Sequence, residues 1–503
     1  METVLPRLKG PVPTTWTNSS PKQPRYTYDS LGESDIRLLK LLPGSWNEEI
    51  CCTIFTANAH DHLPHYEAVS YTWGDPFGPR KYIRIVGSTT RSGRLSTSFL
   101  MRVSEGSFDA LRRLRPNQGG VARTLWMDAV CVNQSDIAER NAQVQKMKSI
   151  FSDAQRVLVY VGEAANDSAV LLESVRDSTL ARSSQNPAIV TSSNDEPTRI
   201  GDSMLHGPFV DNPMRRSLEA FLLRRWFSRI WVVQEVLLAK QATLICGEDE
   251  APWSSFEAAV SSRYAEYATA TVPLPAVLRG HAWPSLGMLG ALQTARSCDA
   301  TDPRDKVYGI AALLQLAPPR LDSASSIGVD YRKSVDAVFA DVALAHLSLP
   351  AGYCKLDLLS YVQSHTMASS WVPDWRVRSS RSLIASDSAS YIEELGLPSQ
   401  QYGVRMSVDR RLVLLSNGTF GLGPAEAREG DTVCVIPGAS VPFVIRMLPK
   451  ERPESAALAA RLVGECWVRD VMHGEAVQQI DEEITVSEEF AKRGCRIESM
   501  DLY

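Results

Sequence analysis

The sequence predicts an α/β protein: a mostly parallel sheet flanked by helices, followed by a helical region and a small antiparallel β module. Three observations carry that expectation. Residues 125–134 and 156–162 are apolar, strand-like runs separated by an amphipathic stretch, and strand, helix and strand with short connections build a parallel sheet under helical cover. YEAVSYTWGD at 66–75 is another buried strand running into a tight turn. From 401 onward the pattern changes to two-residue alternation between Gly and Pro turns, as antiparallel strands require.

Taken in order, residues 1–25 are rich in Pro, Thr and Ser and predict a flexible arm. A first domain spans 26–250, opening with a short element that feeds the strand EEICCTIF. KYIRIVG at 81–87 is a strand, and 107–114 a short helix with Phe108, Leu111 and Leu114 in its apolar positions. LWMDAVCVNQ at 125–134 reads as one near-continuous apolar strand with Asp128 in its middle. Asp136 and Glu139 make a capping pair for a helix carrying Ile137, Val144, Met147 and Phe151. RVLVYVG at 156–162 is a β-branched strand, and 163–210, rich in Ser, Asn and Pro, is a variable, mobile insertion. ATLICG at 242–247 is a further strand, with a helix starting after Pro252.

A helical region spans 251–375. Asp302 caps a helix with Pro303 at its first position, Asp305 and Lys306 pair at the surface, 334–349 is helical, and SSWVPDW is an aromatic turn. Residues 376–400 form a polar linker and 401–503 the β-rich module.

A length of 503 residues predicts two or three domains. Lys plus Arg total 53 against 58 Asp plus Glu, a net charge of −5, so no basic excess is available for a general nucleic-acid surface. The nine cysteines are scattered without a C-x-x-C pair and read as reduced thiols. No signal-peptide core and no long apolar span occur in the sequence, which predicts a soluble, cytoplasmic protein without a membrane span. His60, His62 and His65 cluster in NAHDHLPH, but their loop spacing fits no metal-binding pattern and no metal is expected. No phosphate loop of the G-x-x-x-x-G-K-[ST] type is present.

The chemistry-bearing stretch is RWFSRIWVVQEVLLAK at 225–240. With Ser228 as cap, Trp231, Gln234, Glu235 and Leu238 share one helical face beside an apolar one. Glu235 is then at or inside a core, and a buried carboxylate costs several kcal/mol unless paired. It is either tied to Arg224, Arg225 or Arg229, or kept for chemistry.

YEAVSYTWGD, LWMDAVCVNQ, RNAQVQKMKSIFSDAQRVLVYVG (140–162) and RWFSRIWVVQEV together resemble the fungal heterokaryon incompatibility (HET) domain, with its core at 66–236 of the first domain. TDPRDKVYG, GDTVCVIPGASVPFVIR and RLVGECWVRDVMHGE look like the C-terminal portion that often accompanies it. The resemblance implies non-self recognition between fungal cells, growth arrest and cell death, exerted as a signalling module through a protein partner or self-association. A more distant likeness to TIR domains implies a TIR-like, flavodoxin-like sheet and makes Glu235 the candidate catalytic residue, with NAD as a possible substrate and no cofactor required. Cleavage of the nicotinamide bond passes through an oxocarbenium-like state and the leaving group needs no proton, so one carboxylate holding the ribose suffices. Trp73 or Trp231 would stack on the ligand, and Asp75 or Asn133 would line the mouth beyond the strand ends. A third reading is a family member repurposed for an unrelated role.

Overall fold

In the computed structural model, residues 24–58, 63–75, 77–87, 98–183, 213–266, 275–278, 287–314, 328–347, 358–359, 372–376, 410–416, 418, 420–434, 441–448, 458–468 and 500–502 are described. They belong to two compact units, one made of the described residues up to 63 with 73–131, the other of 64–72 with the described residues from 132 onward. His60, His62, most of the predicted arm and the 377–400 part of the predicted linker lie outside the described residues.

In the first unit, β1 (Asp35–Leu41) pairs antiparallel with β2 (Cys51–Asn58), Leu38 opposite Phe55. Strand β3 (Glu67–Ser70) belongs to the second unit. In the first, β4 (Arg80–Val86) runs parallel to β2 and antiparallel to β5 (Ser98–Ser104). Helix α1 (Glu105–Leu114) is capped by Ser104, whose hydroxyl accepts the Ser107 N–H, and it buries Phe108, Leu111 and Leu114 against β4 and β5. β6 (Arg123–Trp126) pairs antiparallel with β1.

The predicted strand at 125–134 ends at Trp126, and Asp128–Cys131 form a helical turn, α2. An apolar run does not by itself distinguish a buried strand from a buried helical turn. Asp128 decides it locally: its carboxylate accepts its neighbour Ala129's N–H at 2.7 Å, while Val130 and Cys131 both donate to the Met127 carbonyl.

In the second unit, α3 (Ile137–Asp153) is capped by Asp136, which accepts from Ala138 and Glu139. Glu139 reaches past the cap to the Asn133 N–H at 2.6 Å, so the predicted pair caps the helix without closing a reciprocal box. β7 (Arg156–Tyr160) runs parallel to β3, Glu67 opposite Arg156. Helix α4 (Ser168–Ser183) occupies part of the stretch read as a mobile insertion; Leu171, Leu172 and Val175 are buried, and the helix packs on α5 (Pro213–Leu222). Apolar spacing of three and four residues inside a Ser-rich stretch is enough to seat a helix once a neighbour covers it. Short helices α6 (Arg225–Ser228) and α7 (Trp231–Leu237) follow. β8 (Ala242–Cys246) lies parallel to β7, and β9 (Asp249–Pro252) closes the edge antiparallel. The parallel β3–β7–β8 run with helices packed on it, such as α7 and α8 (Trp253–Glu266), is the α/β architecture the sequence predicts.

Helices α9 (Gly287–Ala295), α10 (Asp305–Leu314) and α11 (Val335–Leu347) form the helical region. The β-rich part holds β10 (Arg410–Leu414), β11 (Phe420–Pro424), β12 (Thr432–Cys434), β13 (Phe443–Met447), β14 (Leu458–Glu465), β15 (Trp467–Val468) and β16 (Met500–Leu502). β10–β11–β15 are antiparallel, as are β12–β13–β14, with β16 parallel to β14. Val444, Val463 and Val468 share one buried cluster with Val413 and Val433 packed on it, so both small sheets contribute to one core. Among the described residues no helix is long and apolar enough to cross a membrane.

Candidate functional site

The 225–240 stretch is two helices, α6 and α7, and the break between them is made by main-chain contacts to a distant segment. The Ile230 N–H donates to the Asp299 carbonyl at 3.0 Å, and the Asp299 N–H donates to the Ser228 carbonyl. Ser228 therefore does not cap α7, which starts at Trp231 with no side-chain cap; its hydroxyl donates to Asp299 Oδ2 at 2.6 Å. Contacts across more than seventy residues override the local helix signal.

Glu235 lies on α7 and is only 5% exposed. Its carboxylate accepts a hydrogen bond from Ser70 Oγ, the last residue of β3, and Ser70 in turn accepts from Trp226 Nε1 at 3.0 Å. Accepting from the indole leaves the single hydroxyl proton of Ser70 for the carboxylate, so the chain of donors has one direction. Ser70 and Trp226 are both buried, and the Trp226 ring is wedged edge-on against Phe227 and Trp253 at centroid separations of 5.0 and 5.6 Å. Of the arginines considered as partners, Arg224 donates to the Val161, Glu163 and Ala165 carbonyls and Arg229 to the Tyr71 carbonyl, while Arg225 is exposed. The carboxylate is thus enclosed under β3.

The other predicted ligand-lining residues are engaged in their own surroundings. Trp73 and Asp75 belong to the first unit, whereas Asn133, Trp231 and Glu235 belong to the second. Trp73 Nε1 donates to Asp128 Oδ2 at 2.8 Å, giving Asp128 the partner its position demands. Asp75 lies five residues beyond the end of β3, is exposed, and accepts the Phe77 N–H in a tight local turn. Asn133 lines an open surface concavity of about 560 Å³ with Ser135, Asp136, Ile137, Ala138 and Arg332; Glu235 is not part of its wall. Trp231 is half-buried and donates from Nε1 to Asp305 Oδ2 at 3.1 Å. Among the described residues no group of three or more His, Cys, Asp or Glu side chains is arranged to hold a metal ion.

Asp305 and Lys306 overturn the expectation of a surface pair. Both are buried, and they face different partners. Asp305 accepts from Tyr331 Oη at 2.6 Å and from Trp231; burial pushes its carboxyl up to about 6, against the pull of those two donors. Lys306 Nζ donates to the carbonyls of Ala295, Arg296 and Cys298, closing the C-terminal end of α9, and burial lowers its ammonium below the usual lysine range. Asp302 accepts the Arg304 N–H at 3.1 Å and pairs with its guanidinium at 2.6 Å; burial pushes its carboxyl up, but these bonds outweigh it and hold it below the usual range. Sequence reasoning passes over Ser70, Trp226 and Tyr331 as functional residues, and the one available signal was a serine inside the apolar run YEAVSY.

The family model for heterokaryon incompatibility protein (HET) matches residues 66–235, from the residue before β3 to Glu235 itself. A second model, for the Het-6 beta-barrel domain, matches 394–484, the region of β10 to β15. Over these two stretches the chain matches the domains of heterokaryon incompatibility proteins. It is similar to heterokaryon incompatibility protein 6, OR allele, of Neurospora crassa, with 28% identity over 258 residues, 44% of this chain and 35% of the relative. The chain therefore aligns with about a third of the length of that curated relative. No solved structure matches it. The HET match contains Ser70, Trp226 and Glu235, whereas Asp305 and Tyr331 fall beyond its end.

Proposed function

We propose that this chain acts in fungal non-self recognition as a signalling module that triggers growth arrest or cell death through a protein partner or self-association. The family match and the Neurospora relative support the recognition role. The enclosure of Glu235 supports a signalling output over catalysis: the carboxylate is 5% exposed and takes up the hydroxyl of a buried serine. A glycosidic bond would have to reach a group that the fold holds inside.

The test has two arms. Induced expression in a filamentous fungus is expected to arrest growth for the wild type and for Glu235→Gln at matched levels of folded protein. Concentrated, self-associated protein incubated with NAD is expected to release no nicotinamide above a protein-free blank. Release by the wild type that disappears in Glu235→Gln would replace this reading with NAD cleavage by Glu235, and absence of arrest by the wild type would refute the effector role.

A further inference from the structure

We propose that Asp305 is a proton-responsive latch that holds α7 to α10 and to the 328–333 segment. The inference stands whether or not Glu235 reacts. Asp305 is the first residue of α10, and its two carboxylate oxygens serve different elements. Oδ2 accepts from Trp231 on α7 at 3.1 Å, and Oδ1 accepts from Tyr331 at 2.6 Å. Tyr331 is itself fixed: its N–H donates to Asn141 Oδ1 on α3 at 3.1 Å, and its carbonyl accepts from Arg304. The same segment is fastened at Val329, whose carbonyl accepts from Gln145, and at Asp330, which exchanges hydrogen bonds with the Tyr308 hydroxyl. One buried carboxylate thus joins α7, α10 and a segment clamped to α3.

The charged and titratable groups around it come from α3, from the turn before α10 and from the 328–333 segment. α3 contributes Arg140, 3.9 Å above the Tyr331 ring; the turn before α10 contributes Asp302 and Arg304, paired to each other; and Tyr331 keeps its proton because burial raises its hydroxyl. α7 contributes only the neutral Trp231 indole. Burial dominates its titration, placing it near 6, with the two hydrogen bonds and the Arg140 charge as the lesser, opposing pulls.

The sign follows. The closed-state carboxyl titrates above its unfolded value of about 3.9, so the closed state binds the proton more tightly. The stabilisation is complete below about pH 4 and is lost as pH rises through about 6. Neutral Asp305 keeps both contacts, since its carbonyl oxygen can still accept from Trp231 and its own O–H can donate to the Tyr331 hydroxyl. Between the two limits the opening equilibrium of α7 changes by about a hundredfold.

Amide hydrogen exchange on the full chain reads this directly, with intrinsic rates corrected at each pH from 4.5 to 7.5. In the wild type, protection of 231–237 is expected to fall by at least about tenfold across that range. Asp305→Asn flattens the profile. Tyr331→Phe removes a donor that favours the ionised form, so its midpoint moves to higher pH; this variant carries the test if Asp305→Asn fails to fold. A flat wild-type profile, an unchanged profile in Asp305→Asn or an unmoved midpoint in Tyr331→Phe would each overturn the latch. So would the same pH response in peptides from α1, which belongs to the other unit.

Discussion

Glu235 and Asp305 are both buried carboxylates seated at α7, yet they hold that helix by different routes. Glu235 is part of α7 and reaches out to Ser70 at the end of β3, with Trp226 of α6 orienting the hydroxyl. Asp305 approaches from α10 and takes hold of the helix by the indole of Trp231, with Tyr331 bonded to its second oxygen. The first route lies inside the 66–235 family match; the second lies wholly beyond it, apart from Trp231. At seven residues and without a side-chain cap, α7 is too short to persist alone, so its position is a property of both routes together. The helical region is accordingly a support for the matched core as well as a connection to the β-rich part.

The inner route is expected to be the more costly to cut. Ser70→Ala removes a hydroxyl that donates to Glu235 and accepts from Trp226, leaving two buried polar groups short of a partner. Each such loss costs about 1–3 kcal/mol, so a fall in unfolding free energy of about 3 kcal/mol is expected by urea denaturation. Ser70→Thr restores the hydroxyl and is expected to recover part of the loss. A fall below about 1 kcal/mol in Ser70→Ala would mean that the hydroxyl does not hold the carboxylate, and the contrast between the two routes would collapse.

The outer route is tested at its closest approach, where α10 meets the start of α7. A Cβ added at Gly309 would stand 2.9 Å from Ile230 Cγ1 and 3.2 Å from Cγ2, with Ile230 fully buried. Gly309→Ala gains up to about 1 kcal/mol of helix propensity but loses about 1–3 kcal/mol to overpacking, for a net loss of about 1 kcal/mol. In an Ile230→Ala background the same substitution fills space and is expected to become neutral or stabilising. A double-mutant cycle without that change of sign would show that the two helices are not pressed together there.

The same contrast explains what the sequence reveals of this molecule. The strands at Glu67–Ser70, Arg156–Tyr160 and Ala242–Cys246 are legible because β-branched apolar runs carry their own pattern. Glu235 is legible as an anomaly, a charge in an apolar helix. Its partner is not, since Ser70 lies 165 residues away and the one local hint is a small polar residue in a buried strand. Asp305 is misread as half of a surface pair with Lys306 because a TDPRDK stretch satisfies every local rule for a helix start; only its bonds to Trp231, 74 residues earlier, and Tyr331 show that it is buried. The strand expected at 125–134 fails for a more local reason, since Asp128 accepts its neighbour's N–H at the start of a helical turn, with the Trp73 indole on its second oxygen.

The smallest effect concerns the junction between the two helices, where the sequence places a cap and the structure places a crossing. If Ser228 capped α7, Ser228→Ala would cost about 1 kcal/mol and expose the first-turn amides of that helix. The Ser228 hydroxyl instead donates to Asp299 Oδ2, while the break is held by main-chain bonds that an alanine leaves in place, Ile230 to the Asp299 carbonyl and Asp299 to the Ser228 carbonyl. The side-chain bond is exposed, so its loss is expected to cost about 0.5 kcal/mol. Amide exchange at 231–234 is expected to stay within about twofold of wild type, because those groups gain nothing from Ser228. Selective deprotection of that first turn would restore the cap and remove the Asp299 segment as the cause of the break.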